Sequence, residues 1–65
     1  MIKIRLKPVR ERKLLTQEEL AVRSKITRAA ISRIENGGDA RISTLRKLAA
    51  ALEVEPEELI DSGKA

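Results

Sequence analysis

Thr16 and Thr27 mark the starts of two short helices, and the spacing between them limits the fold more than any other feature of the chain. Thr16 stands three positions before Glu19, so its hydroxyl can accept from the Glu19 amide while the Glu19 carboxylate accepts from the Thr16 amide. Thr27 is also a residue type preferred at the cap that precedes a helix. These signals predict one helix over about residues 17–23 and a second over about residues 28–36.

The connection between these helices is short, and the end of the second helix is marked as well. Residues 24–26 are too few to form a loop with structure of its own, and two helices joined by about three residues cross steeply. Gly37 can take the left-handed conformation that ends a helix after Asn36. The sequence therefore predicts a tight pair of crossed helices.

The second helix of the pair has an apolar face and a polar face. Ile31 and Ile34 point inward with Ala30, because residues three and four apart share a side of a helix. The outward positions are Arg28, Ala29, Ser32 and Arg33. Arginine can donate two hydrogen bonds to guanine, and alanine can contact a thymine methyl, so this face suits the edges of base pairs. Exposed helix arginines are often only solvated, and for this segment alone that alternative stays open.

The segments around the pair predict further short elements. Residues 2–7 alternate aliphatic and cationic side chains, which is typical of a strand. Pro8 breaks this alternation and suits the first turn of a helix over about 8–13. After the pair, residues 38–41 are predicted as a surface loop.

The C-terminal part predicts two more helices. Ser43 is a candidate cap for a helix over 44–52, where Leu45, Leu48, Ala49 and Leu52 fall at helical spacing. Pro56 suits the first position of a helix over 56–60, and the acids around it favour a helix start. Residues 61–65 are predicted to be frayed.

The composition excludes several classes of function. A chain of 65 residues without aromatic residues, cysteine or histidine cannot form a disulfide, a typical zinc site or a surface that stacks bases on rings. It has no phosphate-binding loop and no apolar run long enough for a membrane span, and "MIKIRL" is unlike a signal peptide. Glu57, Glu58 and Asp61 are interpreted as favourable charges at a helix start. We predict a cytoplasmic, non-enzymatic domain without metal, cofactor or small-molecule ligand.

Charge is distributed unevenly along the chain. Residues 1–47 carry thirteen lysines and arginines against five acids, a net charge of +8, whereas residues 48–65 have a net charge of −4. A basic region with an acidic end favours binding of a polyanion on one face. Chance asymmetry is common in small helical proteins and remains the alternative.

The stretch "LTQEELAVRSKITRAAISRIENG" resembles the helix-turn-helix of phage-repressor and Cro-type regulators, also called the xenobiotic-response-element type. The resemblance continues through "STLRKLAAALEVEPEELI" and covers about residues 5–60. It implies an all-α fold: one compact five-helix, lambda-repressor-like DNA-binding domain over residues 1–65, with a possible short N-terminal strand. It also implies a transcriptional regulator, expected to be a repressor, that reads double-stranded DNA with the helix over 28–36.

The resemblance implies roles for individual residues. Arg28, Ala29, Ser32 and Arg33 match base-contacting positions. Phosphate-contacting positions of the family are matched by Gln17, Thr27 and Asn36, and Arg41 is expected to reach a phosphate or the minor groove. Phosphate contacts are also expected for Arg10 and for Lys25, which replaces the family's glycine near the groove edge. Arg10 and Glu35 match a pair that ties the first helix to the end of the recognition helix, although Arg10 can also be read as one more surface cation.

Two positions depart from the family pattern. Many members carry glycine where this chain has Leu14 and Lys25. If the backbone keeps a positive φ there, each side chain costs roughly 1 kcal/mol. The alternative is a slightly reshaped turn, which would alter the pitch of the recognition helix.

Relatives of this type dimerise, with two recognition helices about 34 Å apart on a palindrome. A homodimer on a palindromic operator is therefore expected. Leu52, Val54, Leu59 and Ile60 are candidates for the dimer surface, or they close the core of one monomer.

Two further alternatives stay open. Residues 2–6 could pair with the same strand of a twin, fold back on their own chain, or form an arm near DNA. An antitoxin or adaptor that uses this fold to bind a protein partner is the alternative function.

Overall fold

The computed structural model describes residues 2–60, and the predicted frayed end at 61–65, including Asp61, lies outside the described residues. Within that range the chain forms five helices and two short strands. In chain order they are β1 Ile2–Lys3, α1 Leu6–Arg12, α2 Gln17–Ser24, α3 Arg28–Glu35, β2 Asp39–Ala40, α4 Ile42–Leu52 and α5 Pro56–Leu59. The predicted five-helix architecture is confirmed, and all ten helix ends lie within two residues of the expected ones.

The core is built from aliphatic side chains that every helix supplies. The largest fully buried ones are Leu6, Leu20, Ile31, Leu48, Leu52 and Leu59. The four apolar positions predicted for α4 are all buried, which confirms the helical period read from the sequence. Ala21 and Ala30 are only partly buried, at the margin of this core.

The N-terminal strand is real but shorter than the alternation suggested. Ile2 pairs with Ala40 and Lys3 with Asp39 in an antiparallel ladder, and Ile4 forms an isolated bridge with Ile60. The segment therefore folds back on its own chain, one of the three alternatives left open. Helix α1 begins directly afterwards at Leu6, two residues earlier than predicted, because Leu6 is itself a core residue.

The interpretation of residues 38–41 as a surface loop was wrong, and so was the choice of Ser43 as a cap. Asp39 and Ala40 form β2, and Ala40 is buried against the core, which ties this segment to β1. The chain enters α4 immediately after the strand. Arg41 is the extended cap residue, without a side-chain capping bond, and its carbonyl accepts from the Leu45 amide at 2.8 Å.

Both positions that depart from the family's glycine keep the left-handed backbone. Leu14 has a φ of 60° and Lys25 a φ of 61°, so the turns keep their shape and carry a side chain at some conformational cost. Glu53, which ends α4, is a third such position and was not predicted. None of the helices in residues 2–60 is long and apolar enough to cross a membrane.

Candidate nucleic-acid interface

The orientation of α3 is fixed by a cap at its start and by burial of one side. The Thr27 hydroxyl accepts from the Ala30 amide at 3.1 Å, which confirms the predicted cap. Ile31 and Ile34 are buried, so the opposite side of the helix must face outward. Arg28, Ala29 and Arg33 are exposed and Ser32 is half-buried. These four side chains form one accessible face, which we call the reading face: Arg28, Ala29, Ser32 and Arg33.

Helix α2 packs against α3. Its predicted capping box is present: the Thr16 hydroxyl accepts from the Glu19 amide at 3.0 Å, and the Thr16 amide donates to Glu19 Oε1 at 2.9 Å. The hydrogen bond from the Thr16 amide holds the pKa of Glu19 below its ordinary value. Lys25 ends the helix with its amide donating to the Ala21 carbonyl at 2.9 Å. Because hydrogen bonds fix both ends of α2, they also fix the direction in which α3 begins after the turn.

A buried polar network joins α1, α2 and the end of α3. Arg10 donates to both carboxylate oxygens of Glu35, from Nε to Oε2 at 2.6 Å and from NH2 to Oε1 at 3.1 Å. Its NH1 donates to the Leu15 carbonyl at 2.7 Å, and Gln17 Nε2 donates to Glu35 Oε1 at 2.9 Å. The predicted ion pair is confirmed. We call Arg10, Gln17 and Glu35 the bracing network.

The bracing network decides the charge state of its members. Burial acts to raise the pKa of Glu35, but the hydrogen bonds from Arg10 and Gln17 outweigh it and hold that pKa below the ordinary value. The hydrogen bond to Glu35 raises the pKa of Arg10 despite burial. The pair is therefore fully ionised at neutral pH, and both charges are satisfied inside the protein.

Arg10 is the least exposed of the six residues expected to contact phosphate, although it lines a shallow depression with Gln17 and Arg28. Only 10% of its side-chain surface is exposed, and three of its nitrogens already donate within the chain. Gln17 differs, because its half-buried amide makes one hydrogen bond to Glu35 and none to any other described residue. One N–H of Gln17 is thus free to point outward at the start of α2.

Most of the other predicted phosphate contacts border one cleft between α3 and the start of α4. The cleft has a volume of about 710 Å³. Lys25, Thr27 and Arg41, all predicted for the backbone, line it together with Arg33 of the reading face. Asn36 is exposed at the end of α3 but does not line the cleft. On the other side, Arg28 shares a shallow depression with Gln17. The reading face thus has Gln17 beside one end and the cleft beside the other.

The cleft also includes residues that the sequence reasoning missed. Ser43 and Thr44 offer hydroxyls at the start of α4, and Asp39 is the one carboxylate among the described residues that line the cleft. The hydroxyls could have been found from their place in the first turn of a predicted helix. Asp39 could not, because its position depends on the pairing of β1 with β2.

Two of the four candidates for the dimer surface close the monomer core instead. Leu52 is 2% exposed and Leu59 is fully buried, so neither can contact a partner. Val54 and Ile60 are partly buried and pack against the core. Elsewhere, no cluster of three potential metal ligands occurs among residues 2–60.

The chain is similar in sequence to known helix-turn-helix proteins. A family model described as helix-turn-helix matches residues 6–59. The chain is 46% identical over 57 residues to the uncharacterized HTH-type transcriptional regulator RghRB of Bacillus subtilis (strain 168), an alignment of 85% of this chain and 41% of that protein. It is 44% identical over 57 residues to the HTH-type transcriptional repressor RghR of the same strain, covering 85% of this chain and 42% of that protein. The chain therefore spans about two fifths of the length of these curated relatives.

Two solved structures have a similar fold and a related sequence. The restriction-modification controller protein C.AhdI from Aeromonas hydrophila superposes with a TM-score of 0.82 at 38% identity, over 86% of each chain. The wild-type restriction-modification controller protein C.Esp1396I superposes with a TM-score of 0.71 at 39% identity, over 77% of this chain and 66% of that one.

Proposed function

We propose a mode of DNA recognition for this chain, which belongs to the helix-turn-helix family of DNA-binding transcriptional regulators. In this mode α3 lies in the major groove, and the reading face chooses the sequence. The observation that carries the proposal is that two exposed arginines, an exposed methyl and a half-buried hydroxyl lie on one side of a helix whose other side is buried in the core. Such side chains match the pattern of donors, acceptors and methyl groups in the major groove.

Phosphate contacts would hold α3 in register on both sides. Gln17 offers a free N–H at the start of α2, where the amides of a helix N-terminus also favour an anion. Lys25, Thr27 and Arg41 line the cleft on the other side, and Asn36 offers an amide at the end of α3. Contacts of this kind position a protein on the duplex and carry no sequence information of their own.

Selection of bound sequences from random duplexes, at a fixed salt concentration, tests this division of labour. Arg28→Ala and Arg33→Ala should each relax the preference at one or two base pairs and weaken binding to the best site by about 1–3 kcal/mol. Gln17→Ala should weaken binding to all duplexes alike. Arginine variants that select the same sequences as the parent would show that the reading face does not read bases.

We further propose a repressor that binds a palindromic operator as a homodimer. One relative is named a repressor, and a single recognition helix covers too little DNA to hold a site tightly. The same selection reports the oligomer, because two half-sites about one helical turn apart would appear in the recovered sequences. Recovery of single half-sites, with a monomer on DNA by sedimentation, would contradict the dimer.

Salt dependence separates DNA binding from a role as an adaptor or antitoxin that uses this fold mainly to hold a protein. The affinity for duplex DNA should fall by orders of magnitude between about 50 and 200 mM salt, because each neutralised phosphate releases counterions. An affinity for DNA that is weak and independent of salt would favour the protein-binding role.

A further inference from the structure

The cationic cleft beside α3 contains an acidic side chain that requires an explanation. Asp39 lines the cleft together with Lys25, Arg33 and Arg41. A carboxylate at this position would repel a DNA backbone that approaches the cations. In the structure Lys3 of β1 pairs with it, with Nζ 3.4 Å from Asp39 Oδ1.

The same ammonium group holds the loop at residues 36–38, which connects α3 to β2. Lys3 Nζ donates to the carbonyl of Gly37, thirty-four positions away in sequence. Gly37 has a φ of 101° and ends α3, and the amide of the next residue, Gly38, donates to the Arg33 carbonyl at 2.9 Å. The loop is thus fixed to α3 by backbone bonds and to β1 by Lys3.

The loop lies so close to Arg33 that only glycine fits at position 38. A Cβ added there would lie 2.8 Å from the Arg33 carbonyl oxygen and 3.2 Å from its Cγ. Movement of the loop would therefore disturb the stem of an arginine on the reading face. The loop therefore affects the interface through its contact with Arg33, although Gly37 is itself exposed.

We propose that Lys3 is a positioning residue for DNA binding, an inference that rests on the proposed function. It neutralises Asp39 at the edge of the cleft, and it holds the Gly37 carbonyl so that the loop and Arg33 keep their places. Strand β1 carries Lys3 to this position through its antiparallel register with β2. Lys3 itself does not contact phosphate.

An exposed ion pair of this kind contributes little to folding. The side chains of Lys3 and Asp39 are 64% and 39% exposed, and such pairs are weak in water. Loss of Lys3 should therefore change DNA binding and the loop without changing the thermal midpoint by more than a few degrees. This combination separates a positioning role from a merely structural one.

The experiment compares Lys3→Met and Lys3→Arg with Lys13→Met. The control removes an equal charge from an exposed lysine at the end of α1, which forms no ion pair with any other described residue. For Lys3→Met we expect affinity for the selected duplex to fall about fivefold at low salt, the effect of one charge acting over a few ångström through water. Lys3→Arg should stay within about twofold of the parent, because it keeps the charge and the donors.

Two further measurements decide how Lys3 acts. The slope of log affinity against log salt should fall by much less than about 0.9 in Lys3→Met, because salt screens the unpaired carboxylate of Asp39 but no phosphate contact is lost. Adding Asp39→Asn to Lys3→Met should recover part of the affinity, since the carboxylate left unpaired would be gone. A slope reduced by about 0.9 would show a direct phosphate contact and overturn the proposal. It would also be overturned if Lys13→Met cost as much as Lys3→Met, or if Asp39→Asn recovered nothing.

Amide hydrogen exchange on the free protein keeps this inference separate from the proposed function. In Lys3→Met the amides of Gly37 and Gly38 should exchange several-fold faster, while the core amide of Leu20, which donates to Thr16, should not change. A parent that binds no duplex would refute the proposed function while leaving the loop result standing. A parent that binds DNA, together with unchanged loop amides and affinity in Lys3→Met, would refute the inference alone.

Discussion

The bracing network allows a quantitative test of how much a buried ion pair contributes to this small domain. Arg10→Met removes the guanidinium but keeps an apolar stem of similar length in the same space. Glu35, whose side chain is 4% exposed, is then left as a buried carboxylate with Gln17 as its remaining partner. The Leu15 carbonyl also loses the hydrogen bond that it accepts from Arg10.

The expected magnitude follows from these contacts. Arg10 makes three hydrogen bonds, two of them to a charged group, and bonds to charged groups contribute about 1.5–3 kcal/mol each when counted singly. Their sum, about 3.5–7.5 kcal/mol with the neutral bond included, is as large as or larger than the roughly 3–5 kcal/mol that the core of so small a domain provides. Breaking a buried pair by removing one partner costs about 3–5 kcal/mol. We expect about 3 kcal/mol, the lower end, because the methionine stem retains most of the packing.

A double variant shows whether the stability lost in Arg10→Met comes from the unpaired, buried carboxylate of Glu35. Arg10→Met combined with Glu35→Leu removes both charges, and apolar replacement of a whole buried pair is often neutral or stabilising. Gln17 then loses its acceptor, but it is half-buried and can bind water instead. The double variant should therefore regain most of the free energy of unfolding that the single variant loses.

Urea titration followed by circular dichroism at far-ultraviolet wavelengths provides the assay, because the chain has no aromatic residue for fluorescence. An osmolyte such as trimethylamine oxide keeps the weak variants folded at the start of the titration. With a slope of about 1 kcal/mol per molar urea, the midpoint should fall by about 3 M in Arg10→Met. A loss below about 1 kcal/mol, as for an exposed pair, would refute the reasoning. So would a double variant no more stable than the single one.

Three further predictions follow from the structure. The pKa of Glu35 is lower in the folded than in the unfolded chain, so its carboxylate stabilises the fold above about pH 4.5, and this contribution is lost as the pH falls through the folded pKa. Urea titrations at roughly pH 6 and pH 3 should therefore show that acid lowers the free energy of unfolding less in Glu35→Gln than in the parent. Gly38→Ala should weaken specific DNA binding and change the preference read by Arg33, because the new methyl would meet the Arg33 carbonyl oxygen at 2.8 Å; unchanged selection would contradict this. Lys25→Gly should stabilise the fold by up to about 1 kcal/mol in thermal melts but weaken DNA binding, whereas Leu14→Gly should only stabilise it.

The sequence predicted the features of this fold that depend on neighbours in the chain. The hydroxyls of Thr16 and Thr27 cap helices because the donors they satisfy lie three residues away. The helical spacing of the core leucines in α4 is likewise local. Such signals involve few residues, so a single sequence is enough to interpret them.

The features that were missed depend on contacts between distant segments. Ser43 has the right residue type for a cap, but the pairing of β2 with β1 brings the start of α4 forward to Ile42. The link from Lys3 to Gly37 depends on the same register. The family resemblance supplied the pair of Arg10 and Glu35 but not its burial, which leaves Arg10 less accessible to a phosphate than the other candidates. Polar partners far apart in sequence leave no periodic pattern from which they could be predicted.

These distant polar contacts also support the proposal that an eight-residue helix reads DNA. A helix as short as α3 is marginal alone, so its direction and rotation must come from the rest of the molecule. Burial of two isoleucines fixes the rotation, while Glu35 and the Gly37 carbonyl, both at its C-terminal end, are held by α1, α2 and β1. The reading face lies along the same helix, and in the proposed mode of recognition its side chains must come within hydrogen-bonding distance of base edges. Loss of either polar contact should therefore reduce sequence discrimination by more than the change in the folded fraction explains.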